Sequence, residues 1–400
     1  MIATSQFEEK TKTLFFYSVV FLLTSLFFIP EKNLHLKLFI LFVCIAFPLI
    51  VVKGLCKWSA LLESRIVIAS SLFLGFSLLS LFWSEPERSS DILNPIKNIF
   101  YLVSFWVIFL FTFNGASHRL QSLVKWLIIV GSITAACYAA YHYLYLDYPL
   151  TRRFAIPGPL VDKVRTGFCL GAGALLCLAS LLYEPANRER KSTVLLLLVG
   201  LTVFLVTLVL THTRLAITGT LFFGFAMIVF SPINKRTKFL LIGLGLMLLI
   251  AACIFLTPLI DAYIEKGQSS RLDLWSGYLK EFHHYWFGHG HGTTIYIAEG
   301  GLAGWSAYHS VYLGALLSGG IVGLSLLLLM ILTVLLTGWK LRANPYAVVG
   351  TVLFVFACTM GLVNLDSVIS RPRGYWLIFW LPIIVLSLYE LKSLPRKAFV

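Results

Sequence analysis

Charge is scarce in this chain. Only 12% of its 400 residues are Asp, Glu, Lys or Arg, about half the share of an ordinary soluble domain. That shortage excludes a water-exposed globular fold, and with it a nucleic-acid surface, which needs its basic stripe on such a domain. A disulfide framework is also missing. Of the seven cysteines, Cys44, Cys56, Cys137, Cys169, Cys177, Cys253 and Cys358, six fall inside apolar runs and none in the long polar stretch; they read as small buried apolar side chains, with no Cys/His spacing for a metal. Alternating apolar segments of about ten residues are absent too, which argues against a β-barrel.

What the chain has in plenty is apolar length: 58% of it is hydrophobic. Runs approaching or exceeding about 18 apolar residues read as membrane helices. Twelve such spans are predicted, at about 14–29, 34–52, 66–83, 97–113, 123–145, 165–183, 193–210, 214–230, 238–257, 310–336, 346–364 and 374–390. The expected fold class is an all-α polytopic membrane protein, with residues 1–400 as one membrane domain. The first run has no small-residue cleavage site after it, so it is expected to be a retained helix. One long polar loop, 258–309, joins the ninth and tenth spans and is expected to hold short amphipathic helices.

An even number of spans puts both termini on one side, and charge chooses the side. With the N-terminus inside, the inner segments hold 18 of the 32 basic residues and 6 of the 18 acidic ones, leaving 14 basic and 12 acidic residues outside. The bias fits cytoplasmic termini and an outward-facing long loop. Arg188, Arg190 and Lys191, and Lys235, Arg236 and Lys238, then serve as orientation signals facing anionic lipid.

The outer cations are grouped. Arg152, Arg153, Lys163 and Arg165 crowd one loop, Arg214 ends the short turn Thr211-His212-Thr213-Arg214, Arg271 and Lys280 lie in the long loop, and Arg371 and Arg373 flank a later turn. Basic residues on a translocated side oppose topology, which points to an anionic ligand for several of them. In the long loop, Ser269-Ser270-Arg271-Leu272-Asp273 reads as a helix start, with Leu274, Trp275, Tyr278, Leu279 and Phe282 along one side. Arg271 beside free helix N–H groups suits a phosphate, while an ion pair with Asp273 or Glu265 is the plain alternative.

Gly288-His289-Gly290-His291-Gly292 follows, permitting positive φ and close backbone approach. It is no nucleotide fingerprint, since no strand precedes it. His283, His284, His289 and His291 lack the helical spacing or thiolate of a metal site. His309 stands at the mouth of the next span; its imidazole suits a general base, or else a buried, hydrogen-bonded side chain without chemistry.

These motifs, Thr211 to Arg214, Arg271-Leu272-Asp273-Leu274-Trp275, Gly288 to Gly292 and His309-Ser310-Val311-Tyr312-Leu313, together resemble the O-antigen ligase and O-antigen polymerase superfamily. The chain departs from the family pattern at Thr213, where Ser is common, and at Ser310, where Asn is common. The resemblance implies a Gram-negative inner-membrane glycosyltransferase with a periplasmic active site. Such an enzyme needs neither nucleotide sugar nor metal, and no cofactor is expected. It implies a glycan donor linked to undecaprenyl pyrophosphate and, for a ligase, a lipid A-core acceptor, both met within membrane lipid. Carried over, Arg214 and Arg271 bind the pyrophosphate, His309 is the base, and Arg152 or Arg153 resembles the family arginine of the preceding outer loop; Arg152, Arg153 and Arg165 are the candidates there for a further pyrophosphate contact. Ligase order of the motifs favours the ligase. A polymerase of the same superfamily is the alternative, and a transporter or flippase for an anionic lipid-linked substrate is the alternative of another class.

Overall fold

The computed structural model describes residues 2–56, 58–114, 116–184, 190–243, 271–297, 308–365 and 367–394. Besides the single turn Trp58–Leu61, twelve longer helices organise them: α1 (Ile2–Phe28), α2 (Lys32–Val52), α3 (Arg65–Leu79), α4 (Ser89–Phe113), α5 (Ser117–Ala140), α6 (Lys163–Tyr183), α7 (Lys191–Leu210), α8 (Arg214–Phe230), α9 (Arg271–Lys280), α10 (Val311–Lys340), α11 (Pro345–Asn364) and α12 (Gly374–Ser393). A 3₁₀ turn, Ser80–Trp83, extends α3, and a π turn, Tyr141–Tyr145, extends α5. No strand occurs among the described residues.

Ten of these helices are long and apolar enough to cross a membrane: α1 to α7 and α10 to α12. The expected eighth span is α8, apolar but of 17 residues. The expected ninth span, 238–257, lies outside the described residues from position 244 onward. The long loop 258–309 is described only at 271–297 and 308–309, so Asp261, Glu265, Ser270 and Glu299 fall outside.

Helix α12 is the central post. Its sequence is apolar all round, the signature of a helix with no face for solvent or lipid, and 94% of its most apolar window is buried. Two indole N–H groups are satisfied around it: Trp380 Nε1 donates to Val368 O at 2.8 Å and Trp106 Nε1 to Ser387 Oγ at 2.9 Å. Its last turn caps another helix, because Glu390 accepts from Ser64 Oγ and from the Ile66 N–H at the start of α3.

Close approach between membrane helices is bought with small residues, since lipid offers no hydrophobic force to press helices together. A Cβ on Gly167 of α6 would sit 2.9 Å from Thr213 Cβ, one on Gly173 2.8 Å from the Phe204 ring of α7, and one on Gly219 of α8 2.5 Å from Met360 Cε of α11. At Gly361 a Cβ would meet Val311 of α10 and the Tyr375 hydroxyl of α12. These contacts gather the starts of α6, α8, α10 and α12 with the end of α11 at one end of the bundle. The chain's first and last described helix ends lie at the other, where Arg119 pairs with Glu9 and donates to Thr112 O.

Candidate functional site

Four helix N-termini meet at that first end and turn their positive dipole ends there; α6 and α10 are capped by Asp162 and Ser310, whereas α8 and α12 have no side-chain cap. The turn between α7 and α8 is held from three directions. His212 takes φ +51°, left-handed backbone that a histidine rarely adopts. The Thr213 N–H donates to Thr211 Oγ1 at 3.2 Å, and Thr213 Oγ1 donates to Lys163 O at 3.2 Å. Arg153 completes the clasp, donating from Nε to Thr211 O at 2.9 Å and from its terminal nitrogen to Thr213 Oγ1 at 3.4 Å. Thr213 is therefore occupied elsewhere and gives α8 no side-chain cap. Arg214 opens that helix with an exposed side chain.

The two adjacent arginines left open by sequence are thus separated. Arg152 lies over the Tyr148 ring at 3.6 Å and is exposed; Arg153 is half-buried and bonded to the Arg214 turn. Phe154 N–H donates to Leu210 O at 2.8 Å, fixing the register of the loop against α7. Two tyrosines hold Arg152: Tyr148 lies beneath its guanidinium, and Tyr143 donates its hydroxyl to Arg152 O at 2.7 Å.

Arg271 is the first residue of α9, as its motif predicts, and its guanidinium donates to Asn364 Oδ1 at the end of α11. Burial lowers its pKa from the usual arginine value. Helix α9 buries Leu274, Tyr278 and, just beyond it, Phe282; Leu279 is exposed, so the buried stripe is narrower than predicted. The same helix holds the segment carrying His309. Trp275 Nε1 donates to Tyr308 O at 3.1 Å, and the Tyr278 and Tyr308 rings meet edge to face at 4.8 Å. His309 has φ +53°, and the next residue, Ser310, caps α10 by accepting from Leu313 N at 3.4 Å. Both motif histidines, His212 and His309, so mark left-handed entries into a helix.

Height along the bundle ties these pieces together. Arg214 lies five residues outward of Gly219, roughly 7.5 Å at the helical rise, and Asn364 lies four residues outward of Met360, roughly 6 Å. Gly219 and Met360 touch, so Arg214 and the partner of Arg271 stand near one level. His309 is two residues before Val311, which meets Gly361 at that level. Arg165, in the first turn of α6, is two residues outward of Gly167 and its contact with Thr213.

The glycine-rich stretch has a different task. Helix α10 is broken at Gly320, where φ is +63° and ψ −162°. His289 N–H and Gly290 N–H donate to Leu317 O and Ser318 O at 2.9 and 2.8 Å, while Ile321 N–H and Val322 N–H donate to Tyr285 O and Trp286 O at 2.8 and 3.1 Å. The loop supplies the backbone partners that the break removes, as intramembrane backbone requires. It can do so only without side chains: a Cβ on Gly288 would lie 2.5 Å from Gly320 N, and one on Gly290 2.2 Å from Ser84 Oγ. His291 is anchored by Ser80, with Nδ1 to Oγ at 3.0 Å, and burial drops its pKa to about 4. Burial, then the nearby His284, also lowers the His289 pKa; the rings of His284 and His289 are 4.7 Å apart. Among the described residues, no three His, Cys, Asp or Glu side chains gather as metal ligands do.

Two cavities lie within the bundle and beside the long loop. One of about 910 Å³ is lined by Phe82, Trp83, His283, His284, Trp286 and Phe287 among others. The other, about 100 Å³, is wholly apolar and runs between α5, α6, α11 and α12. Neither is lined by Arg214, Arg271 or His309.

One residue at this end escaped sequence reading as a site member: Asn364 gave no signal beyond a lone amide closing an apolar span. Arg373, one of the grouped outer cations for several of which an anionic ligand is expected, faces two like charges: burial, then Arg165 and Arg371, holds its pKa below the usual arginine value.

Residues 197–328 match the family model described as O-antigen ligase. The stretch contains α8, α9, the glycine-rich loop and His309. The chain is also 27% identical over 370 residues to an O-antigen ligase of Pseudomonas aeruginosa, covering 91% of this chain and 88% of that protein. The family match holds the turn at Arg214, the Arg271 helix and His309 together, and the relative extends the chain's likeness to O-antigen ligases over nearly the whole bundle.

Proposed function

We propose that the chain is an O-antigen ligase that moves a glycan from undecaprenyl pyrophosphate to a sugar hydroxyl of the lipid A core, without a metal and with inversion at the transferred carbon. The observation that carries the proposal is the union, at one end of the bundle, of Arg214 on an uncapped helix start, Arg271 held at the same level by Asn364, and His309 on a strained entry two residues before Val311. On this reading that end faces the periplasm and both termini face the cytoplasm, as the charge bias indicates.

The donor arrives activated, because pyrophosphate is a good leaving group. As the sugar C1–O bond breaks, negative charge grows on the pyrophosphate oxygens. Guanidiniums and helix N–H groups already aimed there stabilise it without reorganising. Arg214 and Arg271 are assigned this role. His309 accepts the proton of the acceptor hydroxyl as that oxygen attacks C1 from the opposite face, so a single displacement inverts the centre and no covalent intermediate is needed. On this reading Arg153, bonded to the turn, is a positioning residue, while Arg152 lies over the Tyr148 ring.

Reconstitution of the purified chain in lipid with undecaprenyl-pyrophosphate glycan tests this. Offered core lipid and carrier-linked repeat units side by side, the ligase gives glycosylated core lipid. Extension of the carrier-linked chain alone would instead make it a polymerase, and movement of unaltered donor across the bilayer a transporter.

A further inference from the structure

The corner between α6 and α12 holds more positive charge than the family motifs require. Arg165 stands in the first turn of α6, and Arg373 immediately precedes α12 with Arg371 two residues before it. The helices touch closely there: a Cβ on Gly374 would lie 2.4 Å from Leu160 Cδ2 and 2.7 Å from Cys169 Sγ, and Cys169 is one turn along from Arg165. The carboxylate nearest Arg165 in sequence is already used, since Asp162 Oδ1 accepts from the Val164 and Arg165 N–H groups at 2.9 Å each. None of the three arginines forms an ion pair among the described residues. Arg373, though it occupies the cap position, gives α12 no side-chain cap. Arg165 and Arg371 thus stand near Arg373 at an uncapped helix start, and burial with their like charge lowers the Arg373 pKa. Such an arrangement persists when an anion completes it.

The corner also says what the anion is attached to. Cys169 and Leu377, one turn inward from Arg165 and Arg373, line the apolar cavity that continues past Ala172, Leu381 and Val385. Charge above and hydrocarbon space below suit a phosphate carried on a prenyl chain better than a free one.

We propose that Arg371 and Arg373, with Arg165, are donor-binding residues that hold a phosphate of the prenyl-linked pyrophosphate beside the site of Arg214 and Arg271. This rests on the function proposed above and adds two residues to it. The two arginines bind substrate and play no part in the proton transfer assigned to His309.

Steady-state transfer by the full-length chain in lipid, titrated separately in donor and acceptor, tests it. Arg373→Ala should raise the donor KM about tenfold, the loss expected for one charge-assisted contact, with kcat and acceptor KM within about twofold. Arg373→Lys should recover part of that loss, and Arg371→Gln, at an exposed position, should raise donor KM less. The thermal midpoint should stay level or rise in Arg373→Ala, because repulsion is relieved; a fall would mark a structural role and overturn the proposal. A prenyl pyrophosphate should inhibit the wild type more strongly than inorganic pyrophosphate and lose potency in Arg373→Ala. Equal potency of the two inhibitors would overturn the prenyl assignment. Unchanged donor KM in Arg373→Ala and Arg371→Gln, with a raised KM in Arg214→Ala, would sink this inference and leave the proposed function standing; absence of transfer by the wild type would sink the function itself.

Discussion

The guanidinium of Arg153 reaches 58 residues along the chain to donate to the carbonyl of Thr211 at 2.9 Å, so the loop before α6 holds the turn that carries Arg214. Arg153→Ala is expected to lower kcat/KM by about tenfold or more, since it frees the turn and strands a buried acceptor. Arg153→Lys recovers little, because one ammonium cannot donate to Thr211 O and Thr213 Oγ1 in the same planar fork. Arg152→Ala, losing only a ring contact, should stay within about threefold. Parallel transfer assays on the three variants distinguish the neighbours.

Gly290 takes φ +87°, and a Cβ there would lie 2.2 Å from Ser84 Oγ and 2.6 Å from Ser80 O. Gly290→Ala should therefore cost more than about 2 kcal/mol, through both strain and overpacking. It should also undock the loop from the break in α10. A lowered thermal midpoint in detergent, with faster proteolysis within 285–292, checks this; wild-type stability would mean that the loop is no staple.

Acid should loosen the same staple. Burial holds His291 at a pKa of about 4, below its ordinary 6.5. Between those values the unfolded chain binds the proton and the folded one does not, so the stabilisation is complete above about pH 6.5 and is lost as pH falls toward 4. His291→Gln should flatten that part of the stability profile. Thermal midpoints of both proteins across pH 4 to 8 give the comparison, and identical slopes would remove His291 as the cause.

Chelation is expected to leave transfer unchanged, because guanidiniums are assigned the charge that a divalent ion would otherwise neutralise. Activity with and without EDTA decides it. Loss restored by a divalent cation would reverse the assignment.

Much of the bundle was legible because lipid imposes a simple rule on sequence: a span must be apolar over its whole length. Residues 14–29, 34–52 and 346–364 announced α1, α2 and α11 in this way. The helix at Arg271 was legible through local chemistry, whereas the cap that Ser310 gives α10 was not read from the sequence. The break at Gly320 was not, since Gly319 and Gly320 sit inside a leucine-rich run whose hydropathy is blind to backbone geometry. The glycine-rich stretch told of close backbone approach but could not name Ser318 or Ser84 as what it approaches. Arg152 and Arg153 were equivalent in sequence because only a tertiary partner, Thr211, separates them. Arg373 entered the site through packing of α12 on α6, a contact between residues more than 200 positions apart, which no local pattern encodes.

The division of labour among Arg214, Arg271 and His309 is tested most directly by measuring equilibrium binding of prenyl-pyrophosphate glycan to purified wild type, Arg214→Ala, Arg271→Ala and His309→Ala. Weakened binding is expected in both arginine variants, with near-normal binding but no transfer in His309→Ala. Full donor affinity in the arginine variants, or normal transfer by His309→Ala, would contradict the account.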